Sequence, residues 1–539
     1  MKKRFNTILS LLFVLGVVGM QAQVRYLDQV FTSVSVETNV PYANAISVLT
    51  GSAAAQSLTM DVYTPVGDDA TDRPVVIYLH TGSFLPQYIN GQVTGGKRDS
   101  AAVEICTRLA KMGYVAISAT YRAGWNPTAT GPTGQNTRTG TLLNAAYRGI
   151  QDFRSCVRYL RKTIAEEENP YGIASDKIVA WGQGTGGYIS AGAAFLDDFE
   201  EVNLDKFIDT ETLLPYVDTN LVGNPYGTTE KPLCIPNWPT YSSDFQLAVN
   251  MGGALGDASW IDGTSATSSE AALVGFHLAT DPFAPFGNGP VIVPTTGDFV
   301  VNVSGSRTAV DTANVEGVND VLAPINQLVN FLNLKVQALK PVAFQFPGQE
   351  VTTLATENMY PFLEGASIGQ PRSGLWDWYG VAQMTAEVNV LNQFLPEPID
   401  PNTLNSNTLI TNPDMSKEKA LVYIDTVMMY YAPRGCAALG LTECLDALGV
   451  VGVDEIVDAK LVELQLGPNP ARSEVQFRSG FEHPMKEIRV FDLKGLMVQS
   501  HLKINAHQFT MERGNLPPGI YLARVRFEEG ILTKKIVFN

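Results

Sequence analysis

The stretch Lys177-Ile-Val-Ala-Trp-Gly-Gln-Gly-Thr-Gly-Gly-Tyr-Ile-Ser190 constrains this chain more than any other. It reads as a short buried strand (Ile178–Trp181), a tight glycine turn (Gly182–Gly187) and the start of a small-residue helix (Tyr188–Phe195). Two chemistries use such a turn. A G-x-S-x-G turn lifts a serine hydroxyl from its middle. A G-x-G-x-x-G turn brings its backbone against a pyrophosphate. Here the serine position is Gly184, and the same glycine completes the second pattern with Gly182 and Gly187.

The pyrophosphate reading fails its own requirement. An acidic residue ending a second strand should follow about 20 residues on. Instead the helix runs into Asp197-Asp-Phe-Glu-Glu201, with no strand before it. The turn also comes after two other strands rather than at the start of the alternating region. No cofactor is expected.

Apolar runs alternate with amphipathic stretches around this turn. The runs are Val75–Leu79, Val115–Ala119, Ile178–Trp181, Gln246–Asn250, Leu273–Phe276 and Val342–Phe346, and the helical stretches include Ala101–Met112 and Ala145–Glu166. Thr59–Pro65 alternates like an exposed strand, and the polar residues 24–55 read as a lead-in segment over the core. Continuous apolar strands separated by helices predict an α/β fold whose mostly parallel sheet is covered on both faces. Residues 195–240 and 350–415, richer in Pro, Asn, Asp and aromatics, read as insertions over the carboxyl edge of the sheet, where open α/β folds bind ligands. The pattern predicts an α/β domain over 23–446, a Gly/Val-rich linker over 447–461 and an all-β module over 462–539.

Lys2-Lys3-Arg4, the apolar run Ile8–Val18 and Met20-Gln-Ala22-Gln23 predict a signal peptide over residues 1–22. That run is too short to span a membrane, and no later stretch reaches spanning length. Residues 24–461 carry 24 Lys and Arg against 46 Asp and Glu, a net of −22. So acidic a body argues against nucleic acid or anionic membrane as partner. Of five cysteines, Cys436 and Cys444 lie close enough to pair, Cys106 and Cys156 on two predicted helices offer a second pair, and Cys234 is left over. None has a metal-ligand spacing, so no metal is expected.

Within the all-β module, Pro468-Asn-Pro-Ala471, Val490-Phe-Asp-Leu-Lys-Gly495, Leu516-Pro-Pro-Gly-Ile-Tyr-Leu522 and Lys534-Lys-Ile-Val-Phe-Asn539 closely resemble the C-terminal sorting domain of type IX secretion cargo. The resemblance implies a small immunoglobulin-like β-sandwich, the type IX secretion machinery as partner, and a secreted or cell-surface destination.

A second resemblance covers roughly residues 57–350. Arg73-Pro-Val-Val-Ile-Tyr-Leu-His-Thr-Gly-Ser-Phe84 looks like the oxyanion segment of carboxylesterases, where a strand ends in His-Gly-Gly-x-Phe. Gly113–Arg122 resembles their next strand with its Tyr-Arg ending, and Asp152–Arg161 the helix leading to the nucleophile turn. Phe276-His-Leu-Ala-Thr-Asp-Pro-Phe-Ala-Pro285 resembles the loop carrying the triad acid, which maps to Asp281. The resemblance implies an α/β-hydrolase, a doubly wound sheet with insertions.

The departures bear on function more than the matches do. Serine chemistry needs a hydroxyl nucleophile, a histidine to take its proton and an acid to orient that histidine. Gly184 has no side chain, and Thr185 beside it should point away. Of five histidines, His483, His501 and His507 belong to the sorting module, while His80 and His277 sit at strand ends where the family does not place its base. The expected base position, the loop Phe346–Val351 after the last strand, carries Gln349 and Glu350 instead. Backbone amides of Gly82, Ser83 and Thr185 still offer an oxyanion-type site, and Trp376, Trp378 and Trp260 offer aromatic surface for a small-molecule, lipid or glycan ligand. Three readings follow: a non-catalytic binding or surface protein, a hydrolase or esterase using Glu350 and Asp281 as a carboxylate pair, and a structural cargo of the cell envelope.

Overall fold

The computed structural model describes residues 23–539 except 264–269, 294–295, 347–348, 366–368, 451–461, 493–496 and 529. The predicted signal peptide and most of the predicted linker lie outside the described residues.

The chain forms β1 (Val34–Ser47), β2 (Ala54–Pro65), β3 (Arg73–Leu79), β4 (Val115–Ala119), β5 (Ile173–Gln183), β6 (Leu247–Met251), β7 (Ala254–Leu255), β8 (Ala272–Leu278), β9 (Asn288–Ile292), β10 (Phe299–Gly305), β11 (Val342–Phe346), β12 (Gln349–Thr353) and β13 (Met359–Phe362). Eight of them make the central sheet in the order β1-β2-β4-β3-β5-β6-β8-β13. The first pairings, β1 with β2 and β2 with β4, are antiparallel, and every later pairing is parallel.

Helices cover both faces: α1 (Ser100–Met112), α2 (Gly134–Glu166), α3 (Thr185–Phe195), α4 (Thr219–Val222), α5 (Ser306–Val315), α6 (Ala323–Asn326), α7 (Phe331–Gln337), α8 (Val381–Leu391), α9 (Pro401–Thr411), α10 (Lys417–Ala438) and α11 (Thr442–Leu448). Strand alternation divides the core. In β3, Val75, Ile77 and Leu79 point into the cluster under α2, α3 and α5. Val76 and Tyr78 point into the opposite cluster under α1, α7 and α10. All seven residues of β3 are therefore buried, which is why Val75–Leu79 is an unbroken apolar run, and the buried Arg73 before it is paired with Asp68. α1 keeps Ala101, Ala102, Ile105, Cys106, Leu109 and Ala110 on its buried face and ends at Gly113, whose left-handed φ of 106° lets its N–H close the last turn.

Four expectations need correction. Residues 24–55 do not merely wrap the core, because 34–47 form the edge strand β1. Val342–Phe346 is not a strand of the central sheet; it pairs with β12 in a separate antiparallel hairpin, and the sheet ends with β13. That strand falls within residues 350–415, so the region read as an insertion also completes the sheet. Cys106 and Cys156 do not pair, since α1 and α2 hold them on opposite faces, and both are free and buried like Cys234. Cys436 and Cys444 do pair, joining α10 to α11.

The C-terminal strands are β14 (Gln465–Gly467), β15 (Glu474–Arg478), β16 (Glu487–Phe491), β17 (Met497–His501), β18 (Gln508–Glu512), β19 (Gly519–Arg526) and β20 (Ile531–Phe538). They form sheets β14-β15-β18 and β17-β16-β19-β20, antiparallel throughout, which share one core that includes Val475, Phe477, Val490, Val525 and Ile536.

Candidate functional site

The parallel strands end on one edge, and the glycine turn sits there. β5 finishes at Gln183, Gly184 takes φ 55° and ψ −116°, and α3 begins at Thr185, three residues earlier than the sequence suggested. Close approach explains the neighbouring glycines. A Cβ on Gly186 would lie 2.0 Å from the Leu79 carbonyl oxygen. Gly184 differs, because the atoms its Cβ would clash with belong to a side chain, Thr81 Oγ1 at 2.2 Å and Thr81 Cβ at 2.9 Å. A hydroxyl thus stands in the space that a side chain on the turn would need. Thr81 went unremarked in the sequence, although the signal was there: it replaces the first glycine of His-Gly-Gly-x-Phe.

The segment after β3 is held from several sides. His80 Nδ1 lies 2.5 Å from the Thr81 carbonyl oxygen, and the imidazole stacks on Tyr121 with ring centroids 4.6 Å apart. Burial lowers the His80 pKa to about 4, so the ring is neutral at physiological pH. The Tyr121 hydroxyl donates to the His80 carbonyl at 2.8 Å and shares a second contact of 2.8 Å with Thr185 Oγ1. That contact directs the Thr185 hydroxyl to Tyr121. Gly82, Ser83 and Phe84 all adopt positive φ, and Gly124 and Trp125 donate to the Phe84 carbonyl. The amides of Gly82, Ser83 and Thr185 have no partner among the described residues. All three residues line one cavity together with Thr81 and Gly184.

Asp281 follows β8 and lines the same cavity. Its Oδ1 accepts from the Phe283 amide at 2.8 Å, and its Oδ2 accepts from Ser373 Oγ at 2.7 Å. Burial nonetheless raises its pKa to about 7. Ser373 lies in the segment after β13, the last strand of the central sheet. The loop after the last central strand is therefore the one that carries Ser373, whereas Phe346 and Val351 lie in the separate hairpin. Glu350 sits in the hairpin that precedes β13, opposite Gln345, and its side chain lies outside the described residues. His277 is consumed elsewhere, with Nδ1 2.6 Å from Ser306 Oγ and Nε2 3.1 Å from the Ala284 carbonyl oxygen.

A second carboxyl escaped the sequence reading. Asp377 is buried on the cavity wall, and Gln183 Nε2 donates to both its oxygens at 3.0 and 2.9 Å. Burial, with Asp99 adding repulsion, raises its pKa to about 8. Asp377 lies inside the Trp376-Asp-Trp-Tyr379 stretch singled out for its aromatics. Of those, Trp376 lines the cavity, whereas Trp378 packs half-buried against the core under α10. Trp260 lines an adjoining apolar cavity, which shares Phe84, Leu142 and Tyr188 with the first.

Comparison with known proteins bears on both parts of the chain. The BD-FAE family model matches residues 60–231, from β2 through the glycine turn but short of Asp281 and Ser373. The model described as a secretion system C-terminal sorting domain matches residues 465–539. No curated protein matches the chain. Similar solved structures include Thermogutta terrifontis esterase 2 phosphorylated by paraoxon, at 19% identity and TM-score 0.28 over 47% of this chain and 73% of that one. A propionate-bound form of the Thermogutta terrifontis esterase Est2 aligns at 17% identity and TM-score 0.26 over 43% and 70%. No helix among the described residues is long and apolar enough to cross a membrane. The chain joins an esterase-like α/β-hydrolase region matching the BD-FAE family to a type IX sorting domain that sends it to the cell surface or the extracellular space.

Proposed function

We propose that this exported protein uses the hydrolase fold to hold a small ligand without hydrolysing it. The observation that carries the reading is a double exchange at the turn. Gly184 leaves the nucleophile position without a side chain, and Thr81 fills the space. Ser373 on Asp281 adds support, since an oxygen of the carboxyl at the orienting-acid position already accepts from a hydroxyl. Loss of nucleophile and base together forfeits about six decades of rate. The lined cavity and the unpaired amides of Gly82, Ser83 and Thr185 need no such groups to bind. The test is a fluorophosphonate probe and a p-nitrophenyl ester applied to the full chain. The expected result is no stoichiometric label and no turnover above background, and labelling of the α/β region would sink the reading.

One observation favours a second reading. Asp281 and Asp377 line the same cavity with raised pKa values, as a general acid–base pair requires. In that case water is the nucleophile, and Asp377 takes the role the sequence suggested for Glu350. Ester turnover in the wild type that disappears in both Asp281→Asn and Asp377→Asn would establish it.

A further inference from the structure

The charged side chains of the cavity wall are all of one sign. The wall carries Asp281 and Asp377 and no lysine, arginine or histidine among the described residues. Neither carboxyl has an ion-pair partner: Asp281 is satisfied by Ser373 and two backbone amides, Asp377 by the Gln183 amide. Lys97, the buried ammonium nearest in sequence to Thr81, is already paired with Asp61 at 2.7 Å. Burial of a carboxyl without a cation favours its protonated form, and both groups are shifted in that direction. An anion entering here would face two acids, whereas a cation would supply the missing partner.

The rest of the wall narrows the ligand further. Phe84, Trp125, Tyr188, Phe283 and Trp376 give it aromatic faces, which attract cations as well as apolar groups. The amides of Gly82, Ser83 and Thr185, unpaired on the same wall among the described residues, call for an acceptor on whatever fills the cavity.

We infer that the cavity receives a small organic ammonium compound with an aromatic or apolar body and an oxygen acceptor, its charge met by Asp281 and Asp377. The inference rests on the binding role proposed above. The acidic body of the protein raises the local concentration of such cations.

Isothermal titration of the full chain with three matched probes tests it. Tyramine carries the ammonium, tyrosol is its neutral alcohol counterpart, and 4-hydroxyphenylacetate carries a carboxylate in the same place. The expected order is tyramine at least about ten-fold tighter than tyrosol, with 4-hydroxyphenylacetate weakest. Asp281→Asn/Asp377→Asn should bring tyramine to the affinity of tyrosol, and either single variant should narrow the difference between them. Equal affinities for tyramine and tyrosol in the wild type, a preference for the carboxylate, or no binding of any probe overturns the inference. If the double variant does not fold, the wild-type ordering still decides, and the single variants repeat the charge test. Ester turnover would instead remove the non-catalytic reading and leave the probe ordering untouched, so the two failures are distinguishable.

Discussion

At residue scale, Thr81 and Gly184 behave as one unit. Rotating the Thr81 side chain moves Oγ1 but not Cβ, which stays 2.9 Å from a Cβ placed on residue 184. Gly184→Ser alone therefore overpacks the turn, at about 1–3 kcal/mol, and adds the strain of a positive φ. Thr81→Gly/Gly184→Ser removes the clash and leaves the strain. Thermal unfolding of the two single variants and the double should give a favourable coupling of about 1–3 kcal/mol, and strict additivity would show that the side chains do not compete. Asp281 and Asp377 make a separate prediction. Folded, they hold protons up to about 7 and about 8, whereas unfolded they release them near pH 4. Between those limits the native state binds more protons, so the contribution is full below about pH 4 and is lost as pH rises toward 8. Asp281→Asn/Asp377→Asn should therefore gain stability over the wild type between pH 5 and pH 8. His80 and His277 titrate with the opposite sign but are common to both proteins. A difference in melting temperature that does not change with pH would refute the assignment.

At element scale, legibility followed burial. β3, β4, β6 and β8 are buried on both faces, so their sequences are apolar runs that read directly as parallel strands. β1 is mostly exposed along its first half, so its pairing rests on backbone bonds that no periodicity announces. β13 hid for another reason. Four residues long with Pro361 inside, it resembles a loop, and only its place at the sheet edge makes the proline tolerable. The alternation Val342-Ala-Phe-Gln-Phe346 looked like the missing strand and drew the base position to Glu350. Ser373 and Asp377 could not be read at all, because their meaning lies in contacts across more than ninety residues of sequence. Arg122 and Asp152 tie the segment after β4 to α2. Asp152 Oδ2 accepts from the Arg122 amide at 2.8 Å, and the guanidinium lies 2.7 Å from its other oxygen, both side chains almost fully buried. Removing one member of such a pair leaves a buried charge, so Asp152→Ala should cost about 3–5 kcal/mol in denaturant unfolding. A loss below about 1 kcal/mol would mean that the pair does not hold the helix to the sheet.

At the scale of the whole molecule, the two large hydrophobic cores of the α/β region, its smaller cluster around Met384 and Val388, and the core of the sorting domain share no residue. Loss of a sorting-domain strand therefore leaves the core beneath the cavity in place. β20 is the strand on which the sorting domain depends. It pairs with β19 at eight consecutive positions, places Leu532, Ile536 and Phe538 in the core, and bridges Phe538 to Ala471. Deleting Ile531–Asn539 removes those three side chains and exposes the whole edge of β19, a larger loss than a small sandwich core withstands. The α/β region keeps both of its large cores. Expressed in a bacterium with type IX secretion, the full chain should reach the surface or medium, whereas the truncated chain should stop in the periplasm. The Cys436–Cys444 bridge should still form there, because that compartment is oxidising. Cell fractionation with non-reducing electrophoresis reads both outcomes. Truncated protein outside the cell would show that the sorting signal lies upstream of β20.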